Sequence, residues 1–209
     1  MTTFDQPIRT FLTAAASDSP TPGGGSVAAL VAALGASMTS MVANLTQGTK
    51  FADVEAQMQA LAAELQRTMQ TAETLLEQDM VSFDHYMSAL KLPKDTDEQK
   101  AARTLAIQEA TVKATAVPRD LAQLCNTVLR QSLVIAEKAN KNVISDLGIA
   151  ALLAEAAGQS AILTMDINLP YLKDEAARET FTRDRNAFLE ENARLKDEIV
   201  AITRRRLGY

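Results

Sequence analysis

Apolar positions recur along this chain at steps of three and four almost from end to end, and nowhere alternate in twos over a sustained run, so the pattern predicts helices and no sheet. The clearest stretch joins Val54, Met58, Leu61, Leu65, Met69, Ala72, Leu76, Met80, Phe83, Met87 and Leu90 into one amphipathic helix of about 36 residues, about 54 Å long at 1.5 Å per residue. Pro93 ends it. Thr96 with Gln99 reads as a capping box opening the next helix, which runs to residue 138 and which Pro118 should kink or divide. Residues 4–16 read as a short helix with Ile8, Phe11, Leu12 and Ala15 on one face. A last helix, residues 174–207, repeats Phe181, Phe188, Leu195 and Ile202 every seven residues with Ile199 filling between, the pattern of a packing seam.

Two further helices, around residues 27–43 and 146–167, are apolar nearly all round and should be central. The first follows Ser19-Pro-Thr-Pro-Gly-Gly-Gly-Ser, whose prolines and glycines cannot continue a helix, so the glycines sit at an N-terminus near Ser26. It should run to about Gln47, with Gly48 as the stop. The second follows an Asn-rich turn, with Ser145 or Asn142 as its cap. Residues 19–49 carry no charge, yet Ser37, Thr39 and Ser40 interrupt the apolar run and no Lys/Arg cluster flanks it, which favours a core helix over a membrane span. Two such helices are more apolar surface than one small bundle covers, so a second subunit is expected to cover part of it. The fold expected is an all-α antiparallel helical bundle with long central helices, one domain over residues 1–209, forming a homodimer.

Charge and composition narrow the partners. With 21 Lys and Arg against 26 Asp and Glu, the net charge of -5 argues against nucleic acid, which selects basic surfaces. The lone Cys125 cannot form an internal disulfide, and with a single His85 no His- or Cys-based metal cage is expected within one chain. The chain opens without a basic segment followed by an apolar run, so a cytoplasmic protein is expected.

Three features carry candidate chemistry. Residues 23–28 match the G-x-G-x-x-A dinucleotide fingerprint by letter, but a helix-like segment with two prolines precedes them instead of a strand, and no Lys-Ser/Thr of a P-loop follows. What survives is the physics: Gly23, Gly24 and Gly25 permit close backbone approach, and free N–H groups at a helix start attract an anion or a carbonyl. A tight turn alone needs fewer glycines. Asp79 lies at the edge of its helix's apolar stripe, where a carboxylate either reaches solvent or faces a pocket. Asn140, Asn142, Ser145 and Asp146 gather amides, a hydroxyl and a carboxylate at the start of an apolar helix, more than capping requires.

Four motifs then occur in order: Ser19-Pro-Thr-Pro-Gly-Gly-Gly-Ser-Val-Ala-Ala, Ser40-Met-Val-Ala-Asn-Leu-Thr, Leu92-Pro-Lys-Asp-Thr-Asp-Glu-Gln-Lys-Ala-Ala-Arg and Asn140-Lys-Asn-Val-Ile-Ser-Asp. In these the chain resembles the cyclodeaminase/cyclohydrolase family, comprising the C-terminal domain of formiminotransferase-cyclodeaminase and its free-standing bacterial relatives. The resemblance implies an all-helical homodimer that takes a tetrahydrofolate derivative as substrate, with no metal or redox cofactor, no membrane, and a formiminotransferase or another folate enzyme as a possible partner. It points to a site made of Pro22, Gly23, Gly24, Gly25, Ser26, Asn44, Asp79, Lys91, Pro93, Asn140, Asn142, Ser145 and Asp146. Two departures remove positive charge: Gly48-Thr49-Lys50-Phe51 replaces a Lys-rich run, and Pro170 stands where a Lys is frequent. Both departures argue against strong binding of a polyglutamate tail.

Either family reaction needs a base and an acid at the bridge carbon. The expected proton carrier is Asp146, with Asp79 as its alternative; Asn140, Asn142 and Ser145 orient the substrate, and the glycine turn holds its polar end. Formimidoyltetrahydrofolate cyclodeaminase is the leading reading, methenyltetrahydrofolate cyclohydrolase the second. A non-catalytic helical interaction module is the competing class, and it requires the Gly23–Ser26 turn to be exposed and empty.

Overall fold

The computed structural model describes residues 2–209. The described residues form six α-helices and no strand: α1 Ile8–Ala15, α2 Gly24–Asn44, α3 Glu55–Leu90, α4 Asp97–Ala136, α5 Ile144–Asn168 and α6 Glu175–Leu207. Short 3-10 turns at Thr3–Asp5, Thr49–Phe51, Lys141–Val143 and Leu169–Tyr171 link them.

At the centre α2 and α5 lie antiparallel. Asn140, just before α5, donates from Nδ2 to the carbonyl of Leu45, just after α2 (2.9 Å). At mid-length the two backbones come close: a Cβ on Gly35 would stand 3.2 Å from the Ala150 oxygen and the Ala154 nitrogen. Ala28, Ala29 and Ala32 share a core with Ala157, Ala161 and Ile162 at the other end, so small side chains let these helices approach. Helices α3, α4 and α6 pack around this pair. Both central segments, Gly24–Asn44 and Lys141–Tyr171, are long and apolar enough to cross a membrane by length and composition, and 61% and 50% of their apolar windows are buried inside the bundle. The rest is not covered. Val27, Leu34, Ile149, Leu152, Leu163 and Ile167 are 39–70% exposed along one or the other of these helices.

Several expected boundaries move for identifiable reasons. The first helix is broken at Pro7 into the Thr3–Asp5 turn and α1, and of its expected apolar face Phe11 is buried while Ile8 and Leu12 are exposed. Helix α2 starts two residues before Ser26, at Gly24, and ends at Asn44; Gly48 lies beyond it in a positive-φ conformation (φ 89°). Helix α5 starts at Ile144 and is capped by neither Ser145 nor Asn142. Instead Asn140 opens the preceding 3-10 turn, its side chain accepting from the Asn142 N–H (3.1 Å). The capping box at Thr96 and Gln99 forms as the pattern predicts, and along the expected seam of α6 Phe181, Leu195, Ile199 and Ile202 are buried while Phe188 is half-buried.

Pro118 does not divide α4, which is continuous across it. A proline at this position removes the N–H that would bond the Ala114 carbonyl. Asn168, at the end of α5, supplies the missing donor: its Nδ2 lies 2.8 Å from the Ala114 oxygen.

Candidate active site

Where the sequence suggested one site, the fold makes two clusters at opposite ends of α2. The first is built on the amino-terminal turn of α2 and on Asp79 of α3. Gly23 is the N-cap, Pro22 and Gly23 are half-buried, Gly24 is exposed, and Gly25 and Ser26 are buried. The Ser26 hydroxyl donates to Asp79 Oδ2 at 2.8 Å. A Cβ on Gly25 would stand 2.2 Å from Asp79 Oδ1, with the other two carboxyl atoms also within 3 Å, so glycine here makes room for the carboxylate itself. The buried part of the turn is therefore occupied by the chain's own carboxylate, while Gly24 stays exposed.

Burial pushes the Asp79 carboxyl above the ordinary aspartate range, and the hydrogen bonds from the Ser26 hydroxyl and backbone N–H offset only part of that. Its other side faces a cavity of about 360 Å³ between α3, α4 and the end of α5, walled by Phe83, Tyr86, Thr164, Asn168 and Tyr171 among others. Sequence reasoning missed all five of these. Phe83 and Tyr86 were legible, lying four and seven residues beyond Asp79 on the same helical face. A cavity with aromatic walls and one proton-exchanging carboxyl suits a flat, partly apolar heterocycle that carries a basic or cationic centre.

The second cluster closes the far end of α2. Asn140 is tied down three ways: its N–H donates to Thr46 Oγ1 (2.9 Å), its Nδ2 to the Leu45 carbonyl, and its Oδ1 accepts from Asn142 N. Around it stand exposed Asn44, Asn142 and Ser145, and half-buried Asp146 in the first turn of α5. From Ser26 to Leu45 the helix rise is about 28 Å, so the two clusters cannot touch one small ligand within one protomer.

Lys91 and Pro93 join neither. Both are exposed, in the link between α3 and α4, and Lys91 lies about 18 Å along α3 from Asp79. His85 lines a separate groove between α3 and α4. Cys125 is fully buried, its thiol pushed up to about 12 by that burial, so it offers no thiolate. No group of three His, Cys, Asp or Glu side chains able to hold a metal ion occurs among the described residues.

Comparison with known proteins places the chain. A family model described as formiminotransferase-cyclodeaminase matches residues 7–187. The methenyltetrahydrofolate cyclohydrolase of Methylorubrum extorquens is 41% identical over 196 residues, spanning 93% of this chain and 94% of that protein. The formimidoyltransferase-cyclodeaminase of Rattus norvegicus is 34% identical over 94% of this chain, which spans 36% of that longer protein. In structure, formiminotetrahydrofolate cyclodeaminase from Thermotoga maritima superposes with a TM-score of 0.87 at 26% identity, covering 97% of this chain and 98% of that one.

Proposed function

Because the chain belongs to the formiminotransferase-cyclodeaminase family, we propose that it works as one enzymatic domain on the one-carbon bridge between N5 and N10 of tetrahydrofolate, with Asp79 as the proton carrier. The observation that carries this reading is the placement of Asp79, a carboxyl held between an aromatic cavity and the first turn of α2, with a raised affinity for its proton. Asp146 was the first expectation from sequence, but it stands in the first turn of α5, in the cluster about 28 Å along α2 from the Asp79 end.

The reaction favoured is cyclohydrolysis, supported by the 41% identity to a cyclohydrolase of equal length. Asp79 as carboxylate takes a proton from a water that attacks the methenyl carbon, giving a tetrahedral adduct. The carbon–N5 bond then breaks, Asp79 returns the proton to N5, and the adduct's own hydroxyl loses its proton to solvent as the 10-formyl group forms. The raised proton affinity of Asp79 suits both halves of this cycle. Cyclodeamination is the second reading, supported by the likeness to the Thermotoga maritima protein. There N10 attacks the carbon of the formimino group in its protonated amidinium form, Asp79 takes the N10 proton and passes it to the departing NH2, and ammonia leaves as the methenyl cation forms. Neither reaction as written calls for a metal or redox cofactor, and a cytoplasmic setting with a separate formiminotransferase or another folate enzyme as supplier fits both.

A second copy of the chain completes the site in this reading. Exposed apolar residues on both central helices, from Val27 to Leu34 on α2 and from Ile149 to Ile167 on α5, supply a surface for it. A two-fold axis through its middle would lay the Asp79 end of one protomer over the partner's Asn140, Asn142, Ser145 and Asp146. The partner's Asp146 would then stabilise the cationic amidinium, with the partner's amides and hydroxyl orienting the substrate. Incubation with 5,10-methenyltetrahydrofolate and with 5-formiminotetrahydrofolate, following methenyl absorbance, decides between the reactions: loss of signal marks hydrolysis, gain marks deamination. Inactivity on both substrates removes the proposal.

A further inference from the structure

A second groove of about 370 Å³ adjoins the Asp79 cavity and shares two of its walls, Tyr86 and Tyr171. It is lined also by Arg103, Gln108 and Lys173, and by no carboxylate among the described residues. In a chain of net charge -5, such a groove is locally cationic. Neither cation has an acid within ion-pair distance among the described residues. Arg103 is held in place instead by the end of α3, donating from Nε and Nη2 to the Leu90 carbonyl (3.3 and 3.1 Å). Gln108 fixes the other wall: its Nε2 donates to the Tyr171 carbonyl (3.1 Å), and its Oε1 accepts from the Lys173 N–H (2.8 Å). The groove thus has a braced frame and two charges without counter-ions.

We infer that this groove is an anion subsite continuous with the Asp79 cavity, and that Arg103 and Lys173 receive the glutamate carboxylates of the folate substrate. The inference rests on the folate reading and deepens it. The reacting carbon is bonded to N10, and N10 is bonded to the aminobenzoyl ring, so a substrate reacting beside Asp79 must send that ring and its glutamate away along one exit. The Tyr86–Tyr171 walls offer the ring two aromatic faces on the way, and the cations lie beyond them. Lys173 follows Pro170 by three residues, and both line this groove.

The test compares binding of 5-formyltetrahydrofolate, a non-reacting probe, with its counterpart lacking glutamate, by titration calorimetry on the wild-type chain, Arg103→Ala and Lys173→Glu. Because Arg103 also braces the Leu90 carbonyl, Lys173→Glu serves as the variant whose side chain has no role in the frame. The wild type should favour the glutamate-bearing probe by about tenfold or more, and each variant should lose most of that preference while binding the truncated probe unchanged. A preference that survives in Lys173→Glu overturns the subsite and leaves the folate reading standing. Failure of the wild type to bind either probe overturns both.

Discussion

Gly25 and Asp79 are fitted to each other across the junction of α2 and α3: a Cβ on the glycine would stand 2.2 Å from Oδ1 of the aspartate, whose Oδ2 accepts from Ser26. The preceding glycine behaves differently, for a Cβ on Gly24 would meet nothing within 4 Å. Gly25→Ala should therefore push the carboxylate off Ser26 and lower kcat by about tenfold or more, as expected when a proton carrier is displaced. Gly24→Ala should leave kcat near wild type and hold or slightly raise Tm, since alanine loses less chain entropy. Equal effects of the two substitutions on kcat would show that the fit at Gly25 is irrelevant to activity.

Asp79 should also reveal itself through stability. Its proton affinity is raised in the folded state above the ordinary value of 3.8, chiefly by burial. Such a group favours the fold below its unfolded pKa, and that contribution is lost as pH rises through the folded one. Asp79→Asn keeps the shape and an acceptor for Ser26 but carries no charge. Thermal melts should show the variant a few degrees more stable than wild type at neutral pH, with the gap closing as pH falls below the ordinary carboxylate range. A gap that widens toward acid would mean that the charged form is the one the fold prefers.

The bond from Asn168 to the Ala114 carbonyl makes a prediction about α4. Asn168→Ala would leave that carbonyl without a donor and should cost about 1–3 kcal/mol. Pro118→Ala restores the backbone N–H, so Asn168→Ala should cost clearly less in that background. Additive effects in the double-mutant cycle, measured by chemical denaturation, would show that Asn168 does not compensate for the proline.

The helices and their central pair were readable because a buried stripe must repeat with the helical period, as from Met58 to Leu76, and because α2 and α5 are apolar on every side. Pro118 misled, since its cost is met by a side chain fifty residues away in sequence. The use of three glycines was half readable: close approach was foreseen, but the approaching group at Gly25 is Asp79 of the same chain. Least readable was distance. Residue types alone mark Asn140, Ser145 and Asp146 as polar chemistry at a helix start, yet only the length of α2 reveals how far they stand from Asp79. Arg103 and Lys173 drew no attention because surface cations are common; what distinguishes them is that, among the described residues, no carboxylate lines their groove or pairs with them.

The central claim, a catalytic site shared between two copies of the chain, is tested most directly by complementation. Asp79→Asn should lower kcat by about 100-fold and Asp146→Asn by at least tenfold when each is assayed alone. Co-expressed with different tags and purified as the mixed dimer, the two chains should form one intact and one doubly defective site, and so recover about half of wild-type activity. A mixed dimer no more active than the mean of its parents, or an Asp146→Asn protein with full activity, would contradict the account.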